Sequence, residues 1–216
     1  TADQQLEVAI AKETGVQLLV VETSWRTIEP GQNQFNLEAL DAIVDALVRR
    51  DVDIAPLIAL RDLPEWAGNG DGRVQAVTAT LEHLARHFGP RVNYYQLSAE
   101  ILPADDPAAT ATVLQKIAEP LKRARNEARL LSPAIDIASV TGQKLQIPDL
   151  PDGLSWCFRT TGPIDAMEEQ LSRFSETNAR EWRPSDWWLH YSEPLIGPTH
   201  NVDAEAVLRH YVFAAK

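Results

Sequence analysis

The chain has 216 residues, a length that suits one domain with a sizeable core, and its net charge of −11 argues against a nucleic-acid backbone or an anionic membrane as partner. It contains no stretch of 18 apolar residues, so no membrane span is expected, and no signal-peptide pattern opens it. The one cysteine, Cys157, excludes an internal disulfide and a cysteine-built zinc site.

Residues 3–14 have helical spacing at Leu6 and Ile10 and stop at Gly15. Val16 to Glu22 is a nearly continuous apolar run, the signature of a strand buried on both faces in a parallel sheet. Asn36 can cap a helix with Leu37, Leu40, Ile43, Val44, Leu47 and Val48 on one stripe. A second buried strand is expected over 52–60, and a helix over 74–88 with Val74, Val77, Leu81 and Leu84 at helical spacing. Gly89 marks its end. A strand over 92–99 ends at Glu100, followed by a helix over 107–126 and a short strand over 130–137. Further strands are expected over 153–158 and 187–192, with a helix over 164–180 between them and a closing helix over 203–215.

Repeated strand–helix alternation means a parallel sheet, either doubly wound or closed as a (β/α)8 barrel. No linker-like or low-complexity stretch interrupts it, so residues 1–216 are expected to form a single domain. Read as a barrel, which normally takes about 250 residues, the chain lacks the first strand and the last strand–helix unit. A partner chain or a segment beyond this one would complete it.

Three blocks resemble clan A glycoside hydrolases, the retaining β-glycosidases built on a (β/α)8 barrel. The first runs from Ser24-Trp25-Arg26-Thr27-Ile28-Glu29-Pro30 through Phe35 to Leu40-Asp41. It is similar to a W-x-x-I-E-P-x-x-G-x-F-x-x-x-x-L-D pattern after the second barrel strand. The second, Pro56-Leu57-Ile58 through Leu63-Pro64-Glu65-Trp66-Ala67, resembles the third strand and its loop. The third, Tyr95 to Glu100, resembles the fourth strand, where the general acid/base ends an N-E-P motif. More weakly, Trp187 to Glu193 resembles the seventh strand, which ends in the nucleophile. The chain departs from the pattern at Ala99, where the family carries Asn, at Ile101, where it carries Pro, and at the sixth strand, which reads Trp156-Cys157-Phe158-Arg159. Alanine cannot make the hydrogen bond to the sugar 2-hydroxyl that such an Asn supplies.

The resemblance implies that Glu100 is the acid/base and Glu193 the nucleophile of retaining hydrolysis, with Tyr191 orienting Glu193 from the same strand face. Apolar neighbours such as Tyr95 would raise the proton affinity of Glu100. No cofactor is expected, and the partner would be a β-linked oligo- or polysaccharide. Family analogy favours an extracellular or periplasmic location. The departures support a second reading: a non-hydrolysing relative serving as a glycan-binding or protein-interaction module.

Each residue also has a plainer role. A glutamate at a strand end is commonly a salt-bridge or capping residue, which sets a structural reading beside the catalytic one for Glu100 and Glu193. Trp25 and Trp66 stand at strand–loop junctions, where stacking on a sugar and packing in the core are equally open. Glu29 reads as a structural hydrogen-bonding residue of its loop. His83 and His87 lie four apart, but without the His-Glu-x-x-His pattern or a third ligand they read as helix-surface residues, so no metal is expected. Cys157, between Trp156 and Phe158, reads as an inert buried thiol.

Overall fold

The computed structural model describes residues 18–48, 55–102, 106–140, 147–161, 169–177 except 171 and 175, 187–192 and 212–214, the last two segments and residues 160 and 161 by backbone only. The chain divides into two compact units. One comprises Gln17–Pro133 and Pro148–Ser155, the other Thr1–Val16, Ala134–Ile147 and Trp156–Lys216.

The first unit is a run of βα repeats. Strand β1 (Leu18–Ser24) leads through a helical turn α1 (Trp25–Ile28) to helix α2 (Glu38–Val48). Strand β2 (Ala55–Arg61) leads to α3 (Gly70–Phe88), and β3 (Tyr94–Leu97) to α4 (Pro107–Ala124) and on to β4 (Arg129–Asp136). Neighbours in sequence are neighbours in the sheet, all parallel: Leu18 to Ser24 pair with Ala55 to Arg61, Leu57 to Leu60 with Tyr94 to Leu97, and Tyr94 to Gln96 with Arg129 to Leu131. This is the repeat of a (β/α)8 barrel, present here in part.

Alternation along the strands separates two faces. Val21, Thr23, Ile58, Leu60, Tyr95, Leu97 and Leu130 share one, and all are buried. The helices supply matching apolar stripes: Leu40, Val44 and Leu47 on α2, Val77, Leu81, Leu84 and Phe88 on α3, and Leu114, Ile117 and Leu121 on α4. The other face carries Leu57, Ala59 and Leu131 in its lower rows and turns polar toward the carboxyl ends of the strands, where Glu22, Ser24 and Arg61 stand.

The helix boundaries follow capping chemistry. Asp106 caps α4 by accepting a 3.0 Å hydrogen bond from the Ala109 N–H, and Pro107 occupies the first helical position, where no N–H is needed. Helix α3 begins at Gly70, four residues before the expected start, with Asp71 in its first turn. It ends at Gly89, whose φ of 53° suits glycine.

Other expectations shift. β1 runs two residues and β2 one residue past the expected end, and β3 stops at Leu97, so Glu100 belongs to the turn after the strand. Val48, assigned to the buried stripe, is 44% exposed at the end of its helix. The helix over 3–14 lies outside the described residues.

In the second unit, β4 continues into a helical turn α5 (Ile137–Val140), and Asp136 forms an ion pair with Arg159 at 3.9 Å. Strand β5 (Leu154–Thr161), which the two units share, pairs in parallel with β6 (Trp187–Ser192), from Trp156 with Trp187 to Thr161 with Ser192. Cys157 is buried, as expected, and Phe158 packs on Phe174 at 5.3 Å. The described residues between 169 and 177 are helical, in the segment expected to be a helix. The helix expected over 203–215 is corrected at Val212–Ala214, which form strand β7, antiparallel to Trp188–His190 of β6; the other residues of that segment lie outside the described residues. Val and Phe favour strands, and the ladder with β6 satisfies a backbone that three residues of helix would leave open.

Candidate active site

The loop after β1 is built around a buried carboxylate. Glu29, 2% exposed, accepts from Trp25 Nε1 at 3.0 Å and from Thr80 Oγ1 of α3 at 2.6 Å on one oxygen, and from the Asn33 N–H at 2.9 Å on the other. Its backbone carbonyl accepts from Trp66 Nε1 at 2.9 Å. A buried carboxylate with three donors is well satisfied, and it ties three segments together. The Asn33 N–H reaches Glu29 because Asn33 adopts a left-handed conformation (φ 61°). This is the position where the resembled pattern carries glycine; asparagine is the side-chain-bearing residue best suited to replace it there. The structural reading of Glu29 therefore holds.

The two tryptophans take different parts. Trp25 is 0% exposed and meets Trp66 edge to face at 5.6 Å and 83°. Its burial supports packing, the second of its two readings. Trp66 lies on the single 3₁₀ turn Glu65–Ala67 after β2 and is partly exposed, held at its edge by the bond to Glu29 and backed by Trp25. The ring is thus fixed at its edge and at its back while one part of it stays exposed.

Glu100 is exposed in the turn after β3. Its backbone is anchored: Ser98 N–H extends the ladder to the Leu60 carbonyl, and the Ser98 carbonyl accepts from Ile101 and Leu102. Arg73, near the start of α3, donates to the carbonyls of Gly68 (3.3 Å) and Glu100 (3.4 Å), bridging the loops after β2 and β3. The Glu100 carboxylate has no hydrogen-bond or ion-pair partner among the described residues. Tyr95 is buried on the helix-facing side of β3, its hydroxyl donating to the Val92 carbonyl at 3.4 Å. Burial raises the pKa of Tyr95, with Arg125 acting in the opposite direction. Tyr95 therefore does not wall the Glu100 carboxyl, contrary to expectation.

Beside this turn, Arg61 ends β2 opposite Ser98 and forms an ion pair with Glu22 of β1. One row below, Gln96 is buried and donates to the Ser132 carbonyl at 3.2 Å. Arg61 and Arg73 were not singled out from the sequence. Arg61 was legible as a charge closing an apolar strand; the role of Arg73 depends on a contact made 27 residues away.

Glu193 lies outside the described residues, and Tyr191 is described by its backbone alone, paired with Thr160. His83 and His87 do not form a metal pair, and among the described residues no group of three metal-ligating side chains occurs. His83 stacks on Phe35 at 3.6 Å and 3°, and His87 Nε2 lies 2.7 Å from Asp41, which also pairs with Arg91. Burial holds the pKa of His83 below the ordinary histidine value; His87 and Arg86 add to this and Glu29 opposes it. The folded chain then binds fewer protons at His83 than the unfolded one, so this contribution weakens as pH falls through about 6.5 toward the folded value. Thermal melts are expected to show a decline in Tm below about pH 7 that the His83→Phe variant flattens. An unchanged slope in that variant would remove His83 as its source.

Residues 2–102 match the family model of glycoside hydrolase family 42, β-galactosidase. No curated protein sequence matches the chain. Among solved structures, endo-glycoceramidase II from Rhodococcus sp. is similar with a TM-score of 0.64 at 12% identity, over 82% of this chain and 57% of that enzyme. An exo-β-1,4-mannosidase from Opitutaceae bacterium strain TAV5 aligns at TM-score 0.56 and 16% identity, over 72% of this chain and 34% of that one. A family 39 glycoside hydrolase from Bacteroides cellulosilyticus WH2 aligns at 0.51 and 17%, over 61% and 29%. The chain thus spans between 29% and 57% of the length of these enzymes and shares the (β/α)8 fold of glycoside hydrolases.

Proposed function

We propose that this clan A glycoside-hydrolase-like chain is a retaining β-glycosidase acting on β-linked oligo- or polysaccharide, with Glu100 as acid/base, Glu193 as nucleophile and Tyr191 orienting it, in one barrel domain over 1–216. The observation that carries this is the Glu100 carboxylate, exposed and unpartnered among the described residues, in the turn after the strand that resembles the one carrying the family's acid/base. Trp66, on the loop after the neighbouring strand β2 and backed by Trp25, supports it as a sugar platform.

In this scheme the Glu193 carboxylate attacks the anomeric carbon as the bond to the leaving oxygen breaks, and Glu100 gives that oxygen its proton. Glu100, now ionised, takes a proton from water as the water oxygen attacks the same carbon and releases Glu193. Two inversions give net retention.

The second reading, a glycan-binding relative without hydrolysis, is favoured by Ala99. The test is to incubate the chain with 4-nitrophenyl β-D-galactoside, β-D-glucoside and β-D-mannoside and follow the first-formed sugar by proton NMR. The expected product is the β-anomer. An α-anomer first product would eliminate a Glu193 glycosyl intermediate, and glycan binding without turnover would establish the second reading.

A further inference from the structure

We propose that Arg61, held by Glu22, is a specificity-determining group of this site and reads adjacent hydroxyls of a neutral sugar ring. The inference rests on the glycosidase reading above and adds a recognition element to it.

Position comes first. Arg61 is the last residue of β2, and the bond from Ser98 N–H to the Leu60 carbonyl sets Arg61 opposite Ser98, two residues before Glu100. Alternation puts Arg61, Glu22 and Gln96 on one sheet face. Both charged residues stand on strands whose ladder is continuous over seven residue pairs, so their placement does not depend on a loop. A recognition group on a strand is held more rigidly than one on a loop.

Availability comes second. Arg61 is 48% and Glu22 56% exposed at the side chain. One guanidinium nitrogen serves Glu22, and among the described residues the remaining donors have no partner. An exposed pair of this kind contributes little to folding. Yet it caps a face whose next rows, Ala59 and Leu57, are buried and apolar. Apolar side chains would cover those rows at least as well, so the charges point to a ligand.

The chemistry of the pair selects the ligand. A lone arginine would prefer an anion. Joined to Glu22, the charge is balanced, and a fork of donors stands beside an acceptor. A vicinal diol offers one hydroxyl to accept and one to donate, which matches that arrangement. Ala99 offers no side-chain polar group at the adjoining turn, so the neighbouring strand is where such a contact can come from.

The experiment compares the wild-type chain with Arg61→Met, Arg61→Lys and Glu22→Gln. Activity is read on 4-nitrophenyl β-D-galactoside, β-D-glucoside and β-D-glucuronide, binding on galactose, glucose and glucuronate by calorimetry, and folding by thermal melts. Arg61→Met is expected to lower kcat/KM, or the affinity for the neutral sugars, about ten- to a hundredfold, with Tm nearly unchanged. Arg61→Lys is expected to recover only part of this, lacking the fork. Glu22→Gln is expected to shift preference toward the glucuronide, because the guanidinium is then unbalanced. If the wild type acts on or binds these sugars and Arg61→Met does so equally well, the inference falls and the glycosidase reading stands. A variant that only loses Tm makes the pair structural and likewise overturns it. If the wild type neither turns over nor binds any of these probes, nor the β-D-mannoside, both readings fall together.

Discussion

The Glu100→Gln variant is expected to lose about 10²- to 10⁴-fold in turnover of 4-nitrophenyl β-glycosides while melting at the wild-type temperature. The folding half of this result follows from the site. The Glu100 carboxylate is exposed, and among the described residues it has no partner to lose, so an isosteric amide disturbs nothing that holds the turn. The turn is fixed instead through its backbone, by Ser98, Ile101, Leu102 and Arg73. The catalytic half follows from the chemistry, since an amide can neither give its proton to the leaving oxygen nor take one from water. A 2,4-dinitrophenyl leaving group needs no proton, so the glycosyl intermediate should still form on Glu193. Added azide, which needs no base, should then restore turnover and yield a β-glycosyl azide. Wild-type turnover in Glu100→Gln would exclude Glu100 from the reaction and return it to the surface role open to any strand-end glutamate.

The largest expected effect on stability is at Trp25. Trp25→Ala is expected to destabilise the chain by about 3–5 kcal/mol, and Tm should fall on the order of 10 °C. The ring is 0% exposed, so its removal leaves a cavity, and its Nε1 is one of the three donors on Glu29. Trp25→Phe separates the two contributions. It keeps most of the packing and deletes the donor, and a loss of about 1–3 kcal/mol is expected for the weakened Glu29 cluster. Trp66→Ala offers the contrast. Trp66 is partly exposed, so less stability is lost, and the larger change is expected in KM or in glycan affinity. Chemical denaturation of the three variants checks this ordering. Equal losses for Trp25→Ala and Trp66→Ala would contradict the division into a buried backing ring and a presented one.

The alternation of strands and helices was legible because each element carries its own periodicity. The Leu-Val run of β1 and the stripes of α2 and α3 are local patterns that need no tertiary partner to be read. The Trp25 to Asp41 block was legible as a motif for the same reason: its residues are close in sequence. The extents of the elements were less legible. Gly70 and Gly72 look like turn residues, yet α3 runs through them, and Val212 to Ala214 pair with β6 in place of a helix. At Gly70 and Gly72 the helix that follows extends back over residues of low helix propensity, and at Val212 to Ala214 the ladder with β6 adds to the strand preference of Val and Phe.

By itself, the sequence determined the βα repeat, the place of Glu100 shortly after a buried strand and the buried thiol of Cys157. The tertiary structure alone decided which polar residues act together. Thr80 reaches Glu29 across 51 residues, Arg61 meets Glu22 across 39, and Trp66 leans on Trp25 from the next strand's loop. The physical reason is that periodicity is set by the chain's own geometry over one or two turns. A hydrogen bond, an ion pair or a ring contact at the sheet's carboxyl edge exists only once parallel strands have been brought into register.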